Sequence, residues 1–122
     1  MTELILCVED NPQNMRLVRK ILTGAGYQVI EATDGLSALE IITDQHPDLV
    51  LLDINLPDID GLEVTARVKA NPTLSEIPLI ALTANAMHGD RERCLAAGCS
   101  GYVPKPITKN ELLTTVARFV KV

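Results

Sequence analysis

Five times along the chain, a short apolar run is followed by a segment whose apolar residues recur at helical spacing. This alternation constrains the fold more than any other feature. Strands separated by helices cannot pair as tight hairpins. The helices must carry the chain back across the sheet, so the strands run parallel and both faces are covered. The runs are "LILCV" (Leu4–Val8), "QVIEA", "DLVLLD", "PLIALT" and a short fifth strand within "GYVPKP". Asn11–Pro12 reads as an N-cap with proline at the first helical position. Val18, Ile21, Leu22 and Ala25 then keep the helical period until Gly24 and Gly26 close it. "TDG" is a turn before "GLSALEIITDQ", a second helix ended by Pro47. Asp60 can cap a third helix over Gly61–Ala70, which Asn71–Pro72 stops. "GDRERCLAAG" is a fourth, with Gly98 beyond its end, and a fifth runs from Thr108 to about Lys121. The first, third and fourth runs are the most continuously apolar and belong at the sheet centre. "QVIEA" alternates and belongs at an edge.

The 122 residues suit one compact domain over 1–122, and 47% hydrophobic content supplies a core without disulfides or metals to staple it. Aromatics are only 2%, so the core is aliphatic and base stacking has few platforms. A net charge of −5 with no dense Lys/Arg block argues against direct nucleic-acid binding and against a basic membrane patch. The amino-terminal "MTELILCVED" lacks the basic region of a signal peptide, and no run is long enough to span a membrane. Cys7, Cys94 and Cys99 have neither CxxC spacing nor a histidine cluster nearby, and read as reduced thiols of a cytoplasmic protein.

In such a sheet, ligands bind outside the carboxyl ends of the strands. The polar residues gather there. The first strand ends in Glu9–Asp10, the third in Asp53 and the fourth in Thr83, and the fifth is followed by Lys105–Pro106. One acid at a strand end is most often a helix cap; three acids, a hydroxyl and an amine on one rim are harder to dismiss. Clustered carboxylates repel, and a divalent cation relieves the repulsion. Hard oxygen ligands suit Mg2+ (or Mn2+), which also binds phosphate oxygens. A carboxylate beside such an ion can attack phosphorus and form an aspartyl phosphate, with Lys105 and the Thr83 hydroxyl on the phosphoryl oxygens.

The chain resembles the receiver domains of two-component response regulators. The resemblance covers essentially the whole length and rests on "VEDN", "LLDINLPDIDG", "ALTA" and "GYVPKP", with the family's spacing from Asp53 to Thr83 and to Lys105. It is greatest toward stand-alone receivers of the DivK type and the receivers of hybrid kinases. It implies a flavodoxin-like (βα)5 fold, a doubly wound parallel sheet in strand order 2-1-3-4-5. It further implies that Asp53 is the phosphoacceptor, that Asp10, Asp53 and the backbone carbonyl of Asn55 ligate the metal, and that Glu9 acts through water. Thr83 and Lys105 would hold the phosphoryl group, Tyr102 would be an aromatic switch residue coupled to Thr83, and Lys105–Pro106 would be cis. The implied partners are a histidine kinase or histidine phosphotransfer protein, and a downstream protein target on the face of the fourth helix, fifth strand and fifth helix. The chain would catalyse only its own phosphorylation and dephosphorylation.

Two rivals share some of these features. An Asp-nucleophile phosphatase of the haloacid dehalogenase type also uses a strand-end Asp, Mg2+, Thr and Lys, but it wants an acid where this chain has Asn55 and needs room for a cap domain. A flavodoxin-like cofactor carrier needs a Ser/Thr/Gly-rich loop after the first strand, and "EDNPQN" is not one. Among lesser signals, Asp58 and Asp60 read as a solvated loop acid and a cap. His46 and His88 read as exposed, and Met15 and Met87 as partly exposed. Arg16, Arg19 and Lys20 form a basic face that is either solvated or a dock for a phosphotransfer helix.

Overall fold

Strand side chains alternate between the two faces of a sheet, so a run that is apolar at every position needs cover on both sides. The computed structural model, which describes residues 3–84, 89 and 91–120, meets that demand. The chain runs β1 (Leu4–Val8), α1 (Pro12–Gly24), β2 (Gln28–Ala32), α2 (Gly35–Gln45), β3 (Leu49–Asp53), α3 (Gly61–Ala70), β4 (Leu79–Thr83), α4 (Arg91–Ala97), β5 (Gly101–Pro104) and α5 (Lys109–Phe119). All four pairings are parallel and the order is β2-β1-β3-β4-β5, the flavodoxin-like doubly wound sheet. β3 and β4 are buried at every position and lie inside the sheet, whereas β2 is partly exposed and lies at an edge.

The alternation sorts the core into layers. Ile5, Cys7, Leu49, Leu51, Ile80 and Leu82 face one side and pack with Met15, Val18 and Leu22 of α1 and Leu112 and Val116 of α5. Leu6, Val8, Val50, Leu52 and Leu79 face the other and meet Ala38 and Ile42 of α2 and Val64 and Val68 of α3. Met15, expected to be partly exposed, is buried, because it lies one turn before Val18 on the inner face of α1. Met87 and His88 lie outside the described residues. Burial is the main influence raising the Cys7 thiol well above its usual value, with the Glu9 charge next, which keeps it protonated and inert.

Local chemistry sets the helix ends. The Asn11 side chain accepts hydrogen bonds from the N–H groups of Gln13 and Asn14, Asp60 accepts from Glu63 N–H, and Thr108 accepts from Glu111 N–H. His46 is exposed and ends α2 in a left-handed conformation (φ 47°). α5 stops at Phe119, short of the expected Lys121, because Val120 turns to extended backbone. α4 closes at Gly98 (φ 113°): Gly98 N–H donates to Leu95 O (3.1 Å) and Cys99 N–H to Cys94 O (2.9 Å). That pair of bonds is a Schellman motif, which presses its first and last side chains together. Those side chains are Cys94 and Cys99, both buried with Ile54 and Ala81, and Thr65 Oγ1 lies 3.6 Å from Cys99 Sγ. The two cysteines thus serve as packing residues, and all three cysteines are reduced.

Candidate functional site

The carboxyl ends of β1, β3 and β4 deliver the polar residues to one rim. Glu9 follows β1, its N–H bonded to Ala32 O (3.0 Å), and Asp10 comes next. Asp53 and Thr83 are the last residues of β3 and β4. Glu9, Asp53 and Thr83 are buried, whereas Asp10 and Asn55 are exposed. One carboxylate oxygen each from Glu9, Asp10 and Asp53 lies within 4.8 Å of the others.

Lys105 reaches this rim from beyond β5. Its N–H donates to Thr83 O (2.8 Å), and the peptide bond to Pro106 is cis. The ammonium donates to Asp53 Oδ2 (3.0 Å) and stands 3.1 Å from Glu9 Oε1. The first contact is a charge-assisted hydrogen bond. The second is ionic only, since no donor among the described residues is aligned on Glu9 Oε1. Asn55 N–H donates to the other Asp53 oxygen, Oδ1 (3.0 Å), and Asn11 N–H to Glu9 Oε2 (3.2 Å). Asp53 is thereby fixed through both oxygens.

Tyr102 sits beside Ala81 in the β4–β5 register, and Thr83 pairs with Pro104, so Thr83 and Tyr102 share a sheet face two positions apart. Tyr102 is half-buried and packs against the cluster of Ile54, Ala81, Cys94 and Cys99. On the basic face of α1, Arg16 and Arg19 both line the same surface depression as Glu9 and Asp10, and Arg19 pairs there with Glu31 (3.0 Å).

Asp58 is the residue that sequence reasoning undervalued. It is exposed, as a loop acid should be, but it is not merely solvated. Its oxygens accept from Gly35 N–H (2.8 Å) and Leu36 N–H (2.9 Å) at the start of α2. These bonds hold its carboxyl below the usual carboxylate range. No local motif links residues so far apart in sequence. The available signal was that α2 would start with N–H groups needing acceptors.

Burial raises the Glu9 carboxyl above its usual 4.5, and the adjacent Asp53 carboxyl adds to the effect; Asn11 N–H and Lys105 oppose both without cancelling them. For Lys105 burial pulls downward, but the hydrogen bond and charge of Asp53, then Glu9, carry it above its usual 10.5. The ammonium therefore stays charged through the neutral range. The folded protein holds the Glu9 proton more tightly than the unfolded chain does. Its contribution to stability is full below pH 4.5 and is lost as pH rises from there through the raised folded value. With divalent cations chelated, Glu9→Gln should lose less stability than the wild type across that interval. Urea unfolding at a series of pH values measures this; parallel profiles for the two proteins would contradict it.

Comparison with known proteins agrees with this geometry. Residues 5–117 match the family described as "Response regulator receiver domain". The chain is 43% identical over 120 residues to the polar-differentiation response regulator DivK of Brucella ovis, covering 98% of each. Among solved structures it is similar to the receiver domain of sensor histidine kinase PA1611 from Pseudomonas aeruginosa PAO1, which has a magnesium ion coordinated in its active-site cleft. That match has a TM-score of 0.91 and 39% identity over 98% of both chains. Chemotaxis response regulator CheY4 of Vibrio cholerae matches at TM-score 0.92 and 28% identity, over 98% of this chain and 99% of that one. The phosphatase alternative finds no support among these relatives. A parallel sheet ending in three acids, a lysine reaching them from beyond β5, and relatives that match end to end lead to one family: the chain belongs to the response regulator receiver domains of two-component signalling.

Proposed function

We propose that Asp53 is the phosphoacceptor of a Mg-dependent phosphorelay step. The observation that carries this reading is the grip on Asp53: Asn55 N–H at one oxygen and the Lys105 ammonium at the other, with Glu9 and Asp10 oxygens within 4.8 Å. An Asp53 oxygen attacks phosphorus, the phosphorus–nitrogen bond to the donor histidine breaks, and its electron pair leaves with the imidazole. Fixing the carboxylate in advance lowers the entropic cost of reaching the attack geometry.

The donor set fits a hard divalent cation. It is all oxygen, and Glu9 Oε1 is buried with no hydrogen bond aligned on it among the described residues. Asp10, Asp53 and the Asn55 carbonyl would hold Mg2+ (or Mn2+), with Glu9 acting through water. When bound, the ion supplies positive charge for the phosphoryl oxygens. Lys105 and the Thr83 hydroxyl bind the product phosphoryl group, a role supported by the Lys105 ammonium on Asp53 and by the backbone bond from Lys105 N–H to Thr83 O. Enzymatic action is confined to the chain's own phosphorylation and dephosphorylation.

The donor is a histidine kinase or histidine phosphotransfer protein, docking where Arg16 borders the acidic depression. The output is a change on the α4–β5–α5 face. Phosphorylation adds about −1.5 to −2 charge at one point. Drawing the Thr83 hydroxyl toward it frees space for Tyr102 to turn inward. Moving the population from about 1:99 to 99:1 needs roughly 5.5 kcal/mol of differential interaction. A few charge-assisted hydrogen bonds plus the cation can supply much of that. A cytoplasmic location fits the reduced cysteines, and no helix among the described residues is long and apolar enough to cross a membrane.

With Mg2+ and acetyl phosphate, the wild type should gain one hydroxylamine-sensitive phosphoryl group and Asp53→Asn none, by intact mass. Equal labelling of the variant would move the acceptor elsewhere. Thr83→Ala should still be labelled on Asp53 but lose most of the phosphorylation-dependent gain in partner affinity. Titrating a target protein with both forms of each chain checks this; a full gain in Thr83→Ala would rule out the Thr83–Tyr102 route.

A further inference from the structure

The first turn of any α-helix presents N–H groups with no partner inside the helix, and the helix dipole makes that end favourable for an anion. In α2 the cap Asp34, among the described residues, accepts only from Ser37 N–H (2.7 Å). The N–H groups of Gly35 and Leu36 are taken instead by Asp58, one on each carboxylate oxygen, at 2.8 and 2.9 Å. Asp58 belongs to neither helix. It lies in the loop between β3 and α3, three residues beyond Asn55. A second contact reinforces the first: a Cβ built on Gly35 would come within 2.5 Å of Ile59 Cγ1, so the loop next to Asp58 lies directly against the start of α2.

The far end of the same loop is fixed to α3. Gly61 N–H donates to Ile54 O (2.7 Å), and a Cβ on Gly61 would run into the Asp53 carbonyl oxygen. The loop is therefore held at two points, Asp58 on α2 and Gly61 on its own root. Between Ile54, which Gly61 N–H holds, and Asp58 lies Asn55, whose N–H bonds Asp53 Oδ1 (3.0 Å). We infer that Asp58 is a positioning residue: its carboxylate clamps the β3–α3 loop to the amino terminus of α2 and thereby sets the Asn55 peptide against Asp53. This rests on the proposed role of the Asn55 carbonyl as a metal ligand. It extends the site to α2, a helix that contributes no side chain to the acidic rim.

Each carboxylate oxygen takes a separate N–H, so the clamp resists rotation of the loop as well as its withdrawal. Without it, the loop keeps its Gly61 anchor, its Asp60 cap and the Ile59 contact but loses its hydrogen-bonded hold on α2. Asp58 is exposed, so its removal opens no cavity.

The test compares wild type, Asp58→Ala and Asp58→Asn by amide hydrogen exchange and by Mg2+ titration calorimetry. In Asp58→Ala, exchange should accelerate at Gly35 and Leu36 and also at Asn55. Mg2+ affinity should drop about tenfold, the low end of what loss of a metal ligand's supporting partner costs. The labelling rate from acetyl phosphate should recover to near the wild-type value at saturating Mg2+, because Asp58 touches no reacting atom. Asp58→Asn keeps one acceptor oxygen and should fall between. Acceleration confined to Gly35 and Leu36 would show that Asp58 only caps α2, and overturns the inference. So does an Mg2+ affinity equal to wild type in Asp58→Ala. The exchange readout needs no metal. A failure of the metal-site reading itself would appear separately, as absence of Mg2+ binding in the wild type.

Discussion

The site depends on a lysine ammonium placed between two buried acids. Glu9 is 1% exposed and Asp53 3%, and two such carboxylates side by side would resist ionisation together. Lys105, at 3.1 and 3.0 Å from them, supplies the opposing charge. Because its backbone N–H bonds Thr83 O while its ammonium meets Glu9 and Asp53, Lys105 joins the ends of β1, β3 and β4. Removing one partner from such a buried group is costly because the remaining charge is left uncompensated. The arrangement still leaves Glu9 raised and one of its oxygens without an aligned donor among the described residues, which supports the proposed divalent cation there.

The surrounding structure serves to hold that charge arrangement in place. Parallel strands bring their carboxyl ends to one rim, and layers of aliphatic side chains on both faces keep the register. The β3–α3 loop is then tied down by Gly61 at its root and by Asp58 on α2. On the same face of the sheet as α2 and α3, Tyr102 lies in the small cluster of Ala81 and Cys94, next to the strand that ends in Thr83. In the proposed switch, a change at the rim would reach α4 and β5 through this cluster.

Much of this was legible in the residues. β1 and β2 were readable to the residue because continuous or alternating apolar runs have few alternative placements. α3 was bounded by a capping Asp60 and a stopping Asn71–Pro72. The rim was legible because polar residues stand at or just past the ends of β1, β3, β4 and β5, and the order of the strands follows from the family likeness. What the sequence hid was long-range. Met15 looks like a flexible side chain near a helix start, and only the orientation of α1 shows that it points inward. Arg19 belongs to a basic face by spacing, yet it is engaged by Glu31 on the neighbouring β2. Asp58 reads as one more loop acid until α2 is folded against it. In each case the deciding contact joins residues of different elements, which no local periodicity encodes.

The central claim is that the strand-end acids form a divalent-cation site on which Asp53 chemistry depends. Mg2+ calorimetry on the wild type and on Asp10→Ala tests it most directly. Asp10 is the exposed member of the acid cluster, so its truncation leaves the core intact. The account predicts one Mg2+ site in the wild type and an affinity at least about tenfold lower in the variant, a loss of about 1.4 kcal/mol. Identical binding by the two proteins would contradict it.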